Sequence, residues 1–325
     1  MRAMRLHAAG RPLALDDVPP PEPGPGEVRI RVGACGVCRT DLHLVEGDLP
    51  LRRSPLIPGH QIVGVVDALG PGVKAPEAGV RVGVAWLRHA CGACDLCRRG
   101  LENLCPDATF NGWSEDGGYA EFAVAPADFI YPLPPGLTDI QAAPLLCAGI
   151  IGYRSLRLAG VQPGDTVGLF GFGASAHLAL QVALHWGCRV FAFSRGQAHR
   201  QLALALGAAW AGSGDPPAPL DAAVTFAPAG AVIPQALACM RPGATLAVNA
   251  IHLDVVPAMD YGLLYRERAV RSVCNATRRD GEEFLRLAAE IPIHAETEVL
   301  PLEEANEALR RVRDGTVHGA AVLVP

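Results

Sequence analysis

Residues 166–170, Thr-Val-Gly-Leu-Phe, run without a break into Gly171-Phe-Gly173-Ala-Ser-Ala176 and then into a helical stretch that Gly187 stops. This order constrains the fold more than any other stretch. A short run of mostly apolar residues predicts a short strand, and the glycines predict a tight turn feeding a helix. G-x-G-x-x-A after a strand and before a helix is the context of a dinucleotide fingerprint. Gly171 and Gly173 let backbone approach a pyrophosphate, Ala176 is an accepted small residue in the third place, and the helix start offers free N–H groups.

The alternation of strand and helix continues after this unit. Residues 188–193, 221–226, 244–250 and 270–274 read as strands, and residues 231–240 as a helix between two of them. The second strand ends at Ser194-Arg195, with His199 and Arg200 on the next helical turn. A carboxylate near this position would take ribose hydroxyls and repel a 2′-phosphate. Ser194 with Arg195 accepts one, so NADP(H) is expected in preference to NAD(H). The alternative is that Arg195 stacks on the adenine ring. Asp280 with Glu283 reads as a helix start, residues 302–312 as a further helix, and residues 320–324 as a closing strand.

Residues before 150 read differently: strands at 28–32, 62–66 and 80–84, separated by Pro- and Gly-rich turns. Two cysteine clusters sit among them. Cys91, Cys94, Cys97 and Cys105 follow the spacing C-x2-C-x2-C-x7-C, which suits a closed tetrahedral zinc cage with no position left for substrate. An iron–sulfur cluster and unliganded thiols are the alternatives, and the spacing differs from the ferredoxin run. Between Cys35 and Gln61 the chain gathers Cys38, Thr40, Asp41, His43 and His60. Cys38 and His60 are a sulfur and nitrogen pair that zinc favours, although two ligands do not make a site; a buried cysteine and a surface histidine are the other reading. Cys147 lies in an apolar segment at a helix start and matters if that pair needs a third ligand.

A chain of 325 residues supports two cores. Net charge of −5 with a single lysine, Lys74, leaves no basic footprint for nucleic acid. No apolar run is long enough for a membrane span, and the N-terminal residues lack the apolar core of a signal peptide. The ten cysteines are therefore expected in a cytoplasmic chain, with metal or catalytic roles.

Taken together, GVCRTDLH, PGHQ, the four-cysteine loop, Cys147 and GFGASAH resemble, in order and spacing, the zinc-dependent alcohol dehydrogenases of the medium-chain dehydrogenase/reductase superfamily. The resemblance covers essentially the whole chain. It implies a doubly wound parallel Rossmann sheet, residues 150–276, inserted in a GroES-like β-rich catalytic domain, residues 1–149 and 277–325. It implies two zinc ions per chain: a catalytic one on Cys38, His60 and Cys147, and a structural one on the four-cysteine loop. It further implies reversible hydride transfer between a small alcohol and NAD(P) through a zinc-bound alkoxide. Thr40 takes the alcohol proton and His43 passes it to solvent, Asp41 stands behind the zinc ligands, and Arg39 meets the pyrophosphate. A homo-oligomer, dimer or tetramer, is the family's usual state.

Two positions depart from the family pattern. Gln61 replaces a glutamate that can approach the zinc during ligand exchange, and Ala320 stands where many relatives have an arginine. Cys147 sets the chain apart from the polyol dehydrogenases, which usually carry a carboxylate there. A non-catalytic NAD(P)-binding sensor has no use for Thr40 and His43. Trp86 and Trp113 are expected either to line the substrate pocket or simply to pack.

Overall fold

The computed structural model of the chain describes residues 1–251 and 253–325. It divides into two compact units, Met1–Cys147 with Asn275–Pro325, and Ala148–Cys274.

The first unit is built on a seven-stranded mixed sheet. Its path runs Thr297–Pro301, Ala320–Val324, Glu27–Gly36, Gln61–Leu69, Arg81–Val84 and Ile130–Pro132, with Phe122–Pro126 pairing beside Glu27–Gly36. Along Glu27–Gly36, Val28, Ile30 and Val32 point into the core while the intervening arginines face outward. That is the period-2 pattern of a half-buried strand. Irregularities between Arg29 and Ile30 and between Val32 and Ala34 change the pairing with Gln61–Leu69. Beyond the second, Cys35 is buried and the chain leaves the sheet at Cys38, which caps the helix Arg39–Glu46.

A lobe carries the four-cysteine loop. The strands Leu87–His89 and Thr109–Phe110 pair at its base, and a single helical turn, Asp95–Arg98, lies in the loop. Leu87, Ala90, Ala108, Phe110 and Phe129 form its small core. Arg278 fastens the lobe to the C-terminal part of the unit: its guanidinium donates from Nη2 to Glu102 Oε2 at 2.9 Å and from Nε to Glu102 Oε1 at 3.3 Å, and lies 4.3 Å over the Phe129 ring. The bidentate geometry is the strong form of such a pair.

The same segment corrects one expectation. The helix Arg278–Glu290 starts from Thr277, with Asp280 in the third helical place rather than as the cap. Thr277 N–H donates to Asp280 Oδ2 at 2.9 Å, and Asp280 N–H donates to Thr277 Oγ1 at 3.2 Å. This is a reciprocal capping box, and both residues are buried. Thr277→Ala is expected to cost about 1–2 kcal/mol and to lower the melting temperature by a few degrees in a thermal scan.

The second unit is a six-stranded parallel sheet in the order Trp210–Gly212, Arg189–Phe193, Thr166–Phe170, Ala222–Thr225, Thr245–Val248, Ala269–Ser272. Numbered within the unit this is 3-2-1-4-5-6, the doubly wound dinucleotide-binding order. Every residue of Thr166–Phe170 is buried, as a central strand covered on both faces requires. The strands Trp210–Gly212 and Thr297–Pro301 were not foreseen. The first is three half-buried residues and the second an edge strand with one buried side chain, so neither shows a clear period. No helix among the described residues is long and apolar enough to cross a membrane.

Candidate active site and metal centres

Cys38, His60 and Cys147 are brought together from three elements. Cys38 ends the sheet, His60 follows the Pro58-Gly59 turn, and Cys147 immediately precedes the helix Ala148–Leu158. Their ligand atoms lie within 4.8 Å of one another, and the two sulfurs are 3.9 Å apart. Two thiolates about 2.3 Å from one tetrahedral zinc would be separated by about 3.8 Å, so the spacing fits the ion. His60 is 1% exposed and its Nδ1 lies 3.2 Å from Asp41 Oδ1, which leaves Nε2 as the nitrogen that could face a metal ion.

The protonation pattern of these groups has the same cause. The Cys147 thiol, with help from the His60 ring and against burial, holds Cys38 well below the usual thiol range. Cys147 is pushed well above it by Cys38 and by burial. Burial opposes the charged His60 ring, but Asp41 and Cys38 outweigh it and raise the ring to about 10. Two thiols and an imidazole thus share protons in a place where a dication can supply the positive charge.

Asp41 organises the cluster. It is 1% exposed and accepts from Cys38 N at 2.8 Å, Gly59 N at 3.3 Å and Tyr119 Oη at 3.1 Å, besides facing His60. Burial and the Asp41 charge hold the Tyr119 hydroxyl well above its usual pKa, so it serves as a donor. No motif or spacing in the sequence marks Tyr119 for this place. Thr40 is buried, with its Oγ1 3.6 Å from Cys38 Sγ. His43, one turn further along the same helix, is half-buried, and its Nδ1 lies 2.9 Å from exposed Asp48. Arg39 is exposed at the helix start.

An aromatic wall adjoins His60. Trp86 meets the imidazole edge-on at 4.8 Å and stacks on Phe110 at 5.1 Å and on Trp113 at 5.8 Å. The Arg52 guanidinium covers Trp113 at 3.9 Å from the ring centre. Trp86 also packs into the core of the four-cysteine lobe.

The sulfurs of Cys91, Cys94, Cys97 and Cys105 also lie within 4.8 Å of one another. Backbone N–H groups point at them: Cys94 N donates to Cys91 Sγ at 3.3 Å and Cys91 N to Cys105 Sγ at 3.4 Å. The amides of Ala93 and Cys94 pull the Cys91 thiol down to about 7. Four thiols with amide support form a zinc-binding cluster of the closed, structural kind.

In the second unit Gly171 has φ +84°, and a Cβ there would stand 2.9 Å from the Ala227 nitrogen, so the turn needs glycine. Gly173 caps the helix Ala174–His185 and has open space around it, while Ala176 is fully buried against the sheet. Ser194 is half-buried and Arg195 exposed at the end of the next strand. Arg200 donates through Nη1 to the carbonyls of Ser194 and Arg195, at 2.9 and 2.7 Å, and so braces that turn.

These two units, one GroES-like in its motifs and one doubly wound, with paired cysteine–histidine and four-cysteine clusters, define a zinc-type nicotinamide-dependent oxidoreductase. Residues 24–135 match the alcohol dehydrogenase GroES-like domain. A probable alcohol dehydrogenase, AdhA, of Mycobacterium tuberculosis is 49% identical over 94% of this chain and 90% of its own length. An alcohol dehydrogenase of Geobacillus stearothermophilus is 36% identical over 99% of this chain and 98% of its own. The cobalt- and zinc-bound thermostable alcohol dehydrogenase of Pyrobaculum aerophilum superposes with a TM-score of 0.90 at 29% identity, covering 100% of this chain and 99% of that one. The chain belongs to the zinc-type alcohol dehydrogenase family of the medium-chain dehydrogenase/reductase superfamily.

Proposed function

We propose that this chain interconverts small primary or secondary alcohols with their aldehydes or ketones, using NADP(H) in preference to NAD(H) and two zinc ions. The observation that carries the reading is the pair of sulfurs 3.9 Å apart beside an imidazole whose other nitrogen is held by Asp41. Cys38, His60 and Cys147 hold the catalytic zinc, and the four-cysteine cluster holds the structural one. When bound, the catalytic zinc lowers the pKa of an alcohol by several units, and the nicotinamide accepts or returns the hydride.

The chain's own residues do the rest. Thr40, buried beside Cys38, takes the substrate proton at Oγ1 and conducts it without holding it. His43, half-buried next to exposed Asp48, exchanges that proton with solvent. Asp41 fixes the tautomer of His60 by engaging Nδ1. Trp86 and Trp113 give the apolar part of the substrate a flat wall. Arg39, Gly171, Gly173 and Ala176 serve the pyrophosphate, and Ser194 and Arg195 serve the 2′-phosphate. Arg200 contributes by fixing the carbonyls of that turn.

The strand Ala269–Ser272 lies at the edge of the parallel sheet with all four residues exposed. An unpaired edge of this kind supports a homo-oligomer, dimer or tetramer, built by strand pairing. Ten cysteines, none of them in a disulfide among the described residues, support a cytoplasmic location.

Initial rates with ethanol, 1-propanol and benzyl alcohol, and with the matching aldehydes, test the reading when zinc is counted on the same sample. Turnover with two zinc ions per chain is the expected result; one zinc and no turnover would overturn it. Arg195→Ala should weaken NADP(H) binding by about 10–100-fold, the worth of a hydrogen bond to a charged group, and leave NAD(H) within about twofold. Equal losses for both cofactors would remove the phosphate role.

A further inference from the structure

We propose that Tyr119 is a positioning residue for the catalytic metal, its hydroxyl setting the Asp41 carboxylate that in turn aims His60. The proposal rests on the reading that Cys38, His60 and Cys147 hold zinc.

The two oxygens of Asp41 divide their work. Oδ1 faces Gly59 N and His60 Nδ1, while Oδ2 takes Cys38 N and Tyr119 Oη. Two of these partners belong to the backbone beside a ligand, and a third is the ligand ring. Of these four described partners, Tyr119 is the one that comes from outside the ligand segments. It therefore decides how the carboxylate rotates relative to them. Asp41 and Tyr119 are 1% and 0% exposed, so bulk water has no access to replace the hydroxyl.

The backbone of Tyr119 is itself fixed. Tyr119 N donates to Pro58 O at 3.0 Å, and Tyr119 O accepts from Met4 N at 2.8 Å. On its inner side the ring lies so near Gly59 that a Cβ there would stand 2.4 Å from Tyr119 Cδ1. Pro58 and Gly59 are the turn that delivers His60. One side chain thus braces the turn from one side and orients the carboxylate from the other. A tyrosine that merely filled the core would need neither the hydroxyl contact nor its direction.

Tyr119→Phe keeps the ring and removes one oxygen atom. Zinc affinity at each site is read by competition with chelators of graded strength on the holoenzyme. The cobalt-substituted protein gives a second readout, the d–d absorption of the catalytic site. The catalytic site should lose about 10-fold in affinity, the low end for residues that support a metal ligand from behind. The four-cysteine site should be unchanged and the d–d bands should shift. Unchanged affinity and bands in a variant that still carries two metals would overturn the role of Tyr119 alone. So would equal weakening of both sites, which marks a general loss of stability. A wild-type protein with a single zinc would overturn the underlying assignment and this inference together.

Discussion

Cys38→Ser should reduce alcohol turnover by about 10³-fold or more, since the catalytic metal supplies several kcal/mol of charge stabilisation to the reaction. The fold should survive. Cys38 caps the helix Arg39–Glu46, and serine is a favoured residue at that place. The Cys38 N–H bond to Asp41 is made by backbone and persists in the variant. The four-cysteine cluster shares no ligand with the altered site, so about one zinc per chain should remain. Metal analysis beside steady-state rates checks both halves. Retained turnover with two zinc ions would mean that Cys38 is not a ligand. Loss of both metals would mean that the two centres are not independent, as the packing of Trp86 against His60 and into the lobe makes physically open to test.

Gly59→Ala should have the largest effect on stability. The residue has φ +95°, a region that costs an L-residue with a Cβ about 1–2 kcal/mol. The added atom would also stand 2.4 Å from Tyr119 Cδ1 and 2.9 Å from Cys35 Sγ. Overpacking of this kind costs about 1–3 kcal/mol. The sum, about 2–5 kcal/mol, is a large share of the total stability of an ordinary domain, about 5–15 kcal/mol. A urea titration should show the midpoint falling accordingly, and the variant should retain less catalytic zinc because His60 is the next residue. An unchanged midpoint with full metal content would mean that the Tyr119 ring moves aside at no cost, and its bracing role would fall with it.

Much of this site was open to reading from the chain alone because its chemistry lies in unusual residue types at short spacings. Four cysteines within fifteen residues, or a G-x-G-x-x-A between apolar runs, have few other uses. The central parallel strand was legible for a related reason: burial on both faces demands an unbroken apolar run, and Thr166–Phe170 has one. What escaped depends on contacts between distant positions. Tyr119 and Asp41 are 78 residues apart, and nothing local to either signals the bond. Trp86 against His60 is the same case, visible only once the lobe folds back. The Thr277 cap was missed by one helical turn because Asp280 and Glu283 imitate the motif that Thr277 and Asp280 form. Arg200 was expected at the cofactor; its Nη1 bonds to the carbonyls of Ser194 and Arg195 are a further contact that no motif signals.

The sheet order of the first unit carries a consequence for synthesis on the ribosome. Its strand Glu27–Gly36 takes Ala320–Val324 as a neighbour, so the sheet has a gap until residues 320–324 have been made. The Glu102–Arg278 clasp likewise waits for the chain to return across 176 positions. The second unit, by contrast, is one uninterrupted segment, Ala148–Cys274. Its strands need only partners that emerge within that segment. The nascent chain thus carries Cys38, His60 and Cys147 before the sheet of their unit is whole, while the parallel sheet of the second unit already has every strand it needs.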